Sequence, residues 1–322
     1  MKSNTKSRLL LVALTIIFII ATSLVLVVTA SVSKDNIAYA YEYSGGIGTS
    51  DDPYIIGSLA ELMDFAADVN GGNTSLCAKL NVDVTLDISW IPIGTSSNKY
   101  NGEFDGQGRV ITYNVYYEST EVERFALFGY LGSSAVVRNI QTEGSIQCNI
   151  LAAAIATESA GKIEKCINRA NITSIDPEYN VAHDGIVFYS TGIIDQCANE
   201  GTIHGGTCVG GVCGQVNGGI ISNCYNVGAL SIRTDGQTFG GVAGQLNAMS
   251  DANTAMTNCF STANITYDAA SEHRWASLVG TMLKATINHS YYQNGDEAVG
   301  HTFSIDYTDN GIAKLTAAQF TQ

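Results

Sequence analysis

Eight cysteines stand at positions 77, 148, 166, 197, 208, 213, 224 and 259 of this 322-residue chain. An even number in an exported chain invites disulfides. Four of them, Cys166, Cys197, Cys224 and Cys259, recur in one phrase: an apolar residue, two polar residues, then Cys. If those phrases stack, the side chains point in parallel, against the dihedral a disulfide requires. They are read as a ladder of buried free thiols acting as small hydrophobes. A local Cys208–Cys213 bridge is the alternative at that site. No His falls at ligand spacing near them, so neither a metal site nor a cofactor is expected. The histidines at 183, 204, 273, 289 and 301 are scattered, and His183-Asp184 reads as a loop pair. There is no Gly-x-Ser-x-Gly elbow and no His-Glu-x-x-His, so no catalytic residue is named. Asp105, Glu118, Glu121 and Glu123 cluster in sequence, as a glycosidase pair would need, but they read as turn and loop acids. Asp51, Asp52, Asp83 and Asp87 are candidates for weak Ca²⁺ binding, with solvated acids as the plainer reading. The better lead is aromatic. Tyr113, Tyr116 and Tyr117 sit beside the acid cluster, and Tyr291 with Tyr292 ends the repeats. Tyrosines stack on sugars and anchor protein contacts.

The balance of charge narrows the partners. The chain carries 16 Lys+Arg against 30 Asp+Glu, a formal net charge of -14. The acidic balance and the absence of a basic stripe argue against nucleic acid, and the few basic residues do not gather on one repeat column, as an enzyme that holds uronic acids would need. Lys2, Lys6 and Arg8 precede an uncharged run from Leu9 to Ala30, long enough to span a bilayer as a helix. Ala38-Tyr39-Ala40 then supplies a signal-peptidase pattern. Residues 1–40 are thus read as a signal peptide or an N-terminal membrane anchor, with the rest exported and extracellular or at the cell surface. The exported part has 12 basic and 29 acidic groups, a net -17.

The elements that must hold these residues come from a repeat. The Cys slot recurs at 140, 166, 197, 224, 259 and 290, with Ile140 and Ser290 replacing Cys at its ends. The spacings are 26, 31, 27, 35 and 31 residues. A small-residue phrase precedes each slot, as in Gly210-Gly211-Val212-Cys213-Gly214 and Gly240-Gly241-Val242-Ala243-Gly244. A repeat of this size marks a solenoid or an array. No stretch keeps a helical period for long. The units are short β-branched runs divided by Gly, Asn and Asp, which is turn chemistry. An all-β parallel β-helix with three short strands per coil fits, and a β-propeller is the runner-up. Asn168, Asn199, Asn223, Asn226 and Asn258 are assigned to corners, where Asn takes the left-handed region cheaply. Residues 41–124 are read as an N-terminal cap and first coils, with one amphipathic helix opened by the capping box Ser58-Leu59-Ala60-Glu61. Residues 125–300 form the repeats. Residues 301–322 are a short tail, with a last strand from Ile305 and a helix start at Thr316.

Gly241-Val242-Ala243-Gly244 with Ile221-Ser222-Asn223-Cys224-Tyr225-Asn226-Val227-Gly228 resembles the GLUG motif of bacterial surface proteins and of some secreted peptidases that cleave immunoglobulin A. So do Gly48-Thr49-Ser50-Asp51-Asp52-Pro53-Tyr54-Ile55-Ile56, Trp90-Ile91-Pro92-Ile93-Gly94 and Phe104-Asp105-Gly106-Gln107-Gly108. The similarity covers roughly residues 46–319. It implies a right-handed parallel β-helix that acts as an extracellular, adhesin-like or scaffolding module. It carries over no catalytic residues. Ala152–Ala156 and Asp184–Phe188 depart from the motif. The expected function is non-enzymatic binding of glycans or host and matrix proteins. The alternative is a polysaccharide-active β-helix enzyme, a lyase or a glycoside hydrolase.

Overall fold

The computed structural model describes residues 43–119, 123–176, 181–232, 238–248, 253–267, 274–294, 297–302, 308–316 and 319. The expectations for residues 1–40, Glu121, His273 and the strand start at Ile305 lie outside them. Among the described residues no helix is long and apolar enough to cross a membrane.

The fold is a right-handed parallel β-helix with one helix near its N-terminal end. Its first sheet stacks ten strands from successive coils, beginning with Tyr54–Ile56, Ala78–Leu80 and Glu103–Asp105 and ending with Thr308–Asn310. Neighbours pair in parallel, so each coil sets its side chains over the last at about 4.8 Å. Phe104, Val137, Ile163, Ile194, Ile221, Met256 and Ile287 form one such inward column, and all are fully buried. A second sheet begins with Val84–Leu86, followed by two long strands, Val110–Tyr117 and Gln141–Cys148, paired along their whole length. In later coils that span divides into two short strands, such as Ile167–Asn168 and Asn171–Thr173. A third sheet runs from Phe128–Leu131 to Val299–Thr302.

The glycine phrases have a steric cause. A Cβ on Gly210 would lie 1.9 Å from the Cys213 carbonyl oxygen, and one on Gly240 would lie 1.9 Å from that of Ala243. In those two coils the corner closes too tightly for a side chain. Ala153 and Asp184 stand in the same column, pairing with each other.

The helix α1, Leu59–Asn70, is opened by Ser58, whose side chain accepts from the Glu61 amide, while Glu61 accepts from the Gly57 and Ser44 amides. It buries Leu62, Phe65, Ala66 and Val69 over the first coil, where Phe65 meets the rings of Tyr100 and Phe104. That cover shields the apolar open end a solenoid would otherwise expose.

Candidate binding face

The repeat slot marks a corner between the first and second sheets. The residue just before each slot takes a left-handed backbone: Asn139 (φ 55), Lys165 (φ 54), Gln196 (φ 53), Asn223 (φ 53), Asn258 (φ 53) and His289 (φ 44). Gln107 (φ 54) begins the series in an earlier coil. Five of these amides still bond to the next coil, from Asn139 to Glu164 O (3.2 Å), Lys165 to Asp195 O (3.0 Å), Gln196 to Ser222 O (3.0 Å), Asn223 to Thr257 O (3.0 Å) and Asn258 to Asn288 O (3.1 Å). The ladder therefore continues through the bend, and the side chains of this column are turned outward. All are exposed except the half-buried Asn139.

The slot residue that follows turns inward. Cys166, Cys197, Cys224 and Cys259 are buried and unpaired, in register between Ile140 and Ser290. They do more than fill space. Each thiol donates back across the corner to the carbonyl two residues earlier: Cys166 to Glu164, Cys197 to Asp195, Cys224 to Ser222 at 3.0 Å, and Cys259 to Thr257. Ser290 makes the same bond to Asn288 O at 2.9 Å. The slot selects a small donor, which explains why Ser replaces Cys there. Burial pushes the Cys166 and Cys224 thiols well above their ordinary range, so they stay protonated as donors.

Two residues beyond the slot lies a second inward column: Thr142, Asn168, Asn199, Asn226 and Ser261. Its amides bond coil to coil, with Asn168 donating to Asn199 Oδ1 (2.7 Å) and Asn199 to Asn226 Oδ1 (2.8 Å). Thr142 caps one end by donating to Asn168 Oδ1 (2.6 Å). This corrects the corner assignment of three asparagines. Asn223 and Asn258 sit in the left-handed corner, but Asn168, Asn199 and Asn226 are fully buried core.

Three outward columns form a face along this corner. On the first sheet run Asp105, Arg138, Glu164, Asp195, Ser222, Thr257 and Asn288. The left-handed column follows. On the second sheet run Gln141, Ile167, Ala198, Tyr225, Phe260 and Tyr291. Asp105 accepts from Arg138 Nε (3.0 Å) and Asn139 Nδ2 (2.9 Å). Burial opposes its ionisation, but the bonds from Asn139, the Gln107 amide and Arg138 prevail and hold its carboxyl below the ordinary range. Further along, Asn223 donates to Asp195 (2.8 Å) and Asn258 donates to Asn223 (3.2 Å), forming an outer amide chain. A shallow groove of about 430 Å³ opens on the earlier coils, lined by Gln107, Gly108, Asn139, Gln141, Lys165 and Ile167.

The tyrosines named from sequence do not share one face. Tyr113 is 1% exposed and its hydroxyl donates to Ala154 O, because it alternates inward with Ile111 and Val115. Tyr116, three residues on, takes the opposite face, is 56% exposed and donates to Glu118 (2.7 Å). Tyr117 is half-buried against the core. Tyr292 falls in the inner column after Ser261 and is buried, whereas its neighbour Tyr291 faces out. Tyr113 and Tyr292 are thus core residues and not part of a binding face. Tyr225 and Phe260 were missed. They stack at 5.0 Å with planes 5° apart, and Tyr291 follows them in register. Their period-2 outward placement was the available signal.

The remaining candidates are dispersed. His183 and Asp184 form a fully buried strand pair instead of a loop, held by neighbours in parallel register. The His183 ring nitrogens lie 2.7 Å from His204 O and 3.0 Å from Ile150 O, while Asp184 accepts from the Gly210 amide (2.8 Å). Burial drives the Asp184 carboxyl well above its ordinary value and lowers that of His183. Cys208 and Cys213 are unbridged, and Cys208 accepts from Gln215 and Gln245. Asp83 receives the Val110 amide, and Asp87 receives Ser89. Glu118 is taken by Tyr116, and Glu123 lies 4.0 Å from Arg124. Among the described residues no three His, Cys, Asp or Glu converge as metal ligands would.

The architecture places the chain among parallel β-helix proteins. It is similar in fold to a protein of Bacteroides ovatus assigned as an immunoglobulin A1 protease, with a TM-score of 0.64 over 86% of this chain and 88% of that one. At 20% identity that likeness is one of fold. In sequence it is similar to a Gly-rich membrane protein of Evansella cellulosilytica, 30% identical over 106 residues, 32% of this chain. It is also similar to halomucin of Haloquadratum walsbyi, 28% identical over 182 residues, 53% of this chain. The matched parts span 12% and 2% of those two proteins' own lengths. No protein-family model matches the chain.

Proposed function

We propose that the chain is an exported, GLUG-type β-helix module that binds glycan or protein along its corner face and carries no catalysis of its own. The observation that supports this most is the left-handed column. It presents outward side chains, mostly amides, at one per coil, so donors and acceptors recur at about 4.8 Å along a straight line. A linear polymer can meet several of them at once. The resemblance to a membrane protein and to halomucin over part of the chain suits a surface setting, as does the apolar run Leu9–Ala30 after three cations.

Arrays of glycans and of matrix proteins test this directly. Selective, saturable binding that weakens at least tenfold on Asn223→Ala plus Asn258→Ala, and is unchanged by Tyr116→Ala, is expected. Loss on Tyr116→Ala alone would move the site to the other flank. No binding at high micromolar concentration would sink the reading and leave a spacer.

A further inference from the structure

We infer that the groove on the earlier coils selects anionic saccharides through Lys165 and Arg109. This rests on the binding reading above and names the ligand class for one half of that face. The chain as a whole carries a net charge of -14, so its acids outnumber its cations. One basic residue lines this groove and two more adjoin its lining residues, by chain or by hydrogen bond. Lys165 lines it, Arg109 directly follows the lining residue Gly108, and Arg169 donates to the lining Gln141 (2.6 Å).

Most acids nearby are bonded, though Glu143, and Asp83 on the Val110 amide beside Arg109, have no cation partner among the described residues. Asp105 is bonded by Arg138 and Asn139, and Glu164 is paired with Lys162. Glu200 is paired with Arg169 at 2.7 Å, and Glu143 receives Thr112. Lys165 and Arg109 are both exposed and have no ion-pair partner among the described residues. The other lining groups are neutral amides, Gln107, Asn139 and Gln141, which bond hydroxyls of either polarity. Gln141 is held at both ends, donating to Gly108 O (3.1 Å) while accepting from Arg169, so the groove wall is fixed before any ligand arrives.

Unmatched cations beside fixed amides recognise a sugar chain that carries carboxylates or sulfates. Neutral sugars would engage only the amides. Glutamine holds the same left-handed position in the next coil (Gln196, φ 53), so the backbone does not require a lysine at 165.

The test uses the full chain in calorimetric titrations with three hexasaccharides: a galacturonate, a heparin-derived sulfated one and a neutral maltose-type one. Each is run at low and at physiological salt. The expected result is binding of at least one anionic chain tenfold or more tighter than the neutral one, weakening with salt. Lys165→Gln with Arg109→Gln should lower that affinity at least tenfold and leave any neutral affinity within twofold. The Gln196 precedent makes the Lys165→Gln fold safe, and an unchanged melting temperature checks it. Which anionic chain binds distinguishes carboxylate from sulfate recognition. Equal affinity for the neutral chain, or anionic binding that survives the double substitution, would overturn the inference while leaving the binding reading intact. Failure of all three sugars, together with blank arrays, would remove both.

Discussion

Asn223 and Asn226 lie three residues apart in one coil and face opposite ways. Asn223 stands outside, in a left-handed corner, with its amide in solvent and on Asp195. Asn226 is fully inside, accepting from Asn199 and from the Gly228 amide. The outer position asks for a backbone conformation and tolerates many side chains, as Lys165, Gln196 and His289 demonstrate. The inner one asks for a side chain that both donates and accepts, and Thr or Ser replaces it only at the column's ends. One residue type thus serves two unrelated physical demands in the same repeat.

Breaking the inner column should cost most. Asn199→Leu removes the acceptor for Asn168 Nδ2 and the donor to Asn226 Oδ1 and Gly201 O, leaving buried groups with fewer partners. We expect a loss of about 3 kcal/mol in urea unfolding; under about 1 kcal/mol would mean the column is mere filler. Next comes the slot beside it. Cys224→Ala should cost about 1–2 kcal/mol from a small cavity and a lost bond to Ser222 O, and Cys224→Ser, mimicking Ser290, distinctly less. Equal losses for the two variants would refute the donor role. The corner should respond in the other direction. Lys165→Asn is expected to stabilise by about 0.5–1 kcal/mol, since Asn occupies left-handed backbone at lower cost, while Asn223→Gly should stay within about 0.5 kcal/mol of the parent.

The smallest effect is one of pH. The Asp105 carboxyl titrates lower in the folded chain than in the unfolded one, so its contribution is present above the unfolded value and fades as pH falls through the folded one. Asp105→Asn should therefore be less stable than the parent at neutral pH, and the gap should close on acidification. A gap constant down to pH 2 would show that the difference is not electrostatic.

Much of the fold was legible. The slot spacings between 140 and 290 match the observed register, because a stacked coil must bring its inward residues over one another whatever its loop length. The capping box at Ser58 likewise fixed the start of α1. The face was less so. Tyr113 and Tyr116 read alike in sequence but sit on opposite sides of a strand, and only the pairing of Val110–Tyr117 settles which side is core. The placing of Lys165 near the coil of Arg109 was invisible, since the two lie two coils apart around a bend instead of in one repeat column. Asp184 was unreadable for a similar reason: in the next coil Gly214 leaves room for its carboxylate and the Gly210 amide donates to it.

The bonds through the left-handed corner, like those of the sheets, all run from one coil to the next, along the long axis. A load applied to one end of such a body is borne by a single coil-to-coil step at a time, and lengthening the stack adds extension without adding strength. The weakest step then sets the breaking force. The inner amide chain ends at Asn226, whose Nδ2 has no hydrogen-bond partner among the described residues and passes nothing on to Ser261. Under tension the coils should part there, between the one that holds Cys224 and the one that holds Cys259.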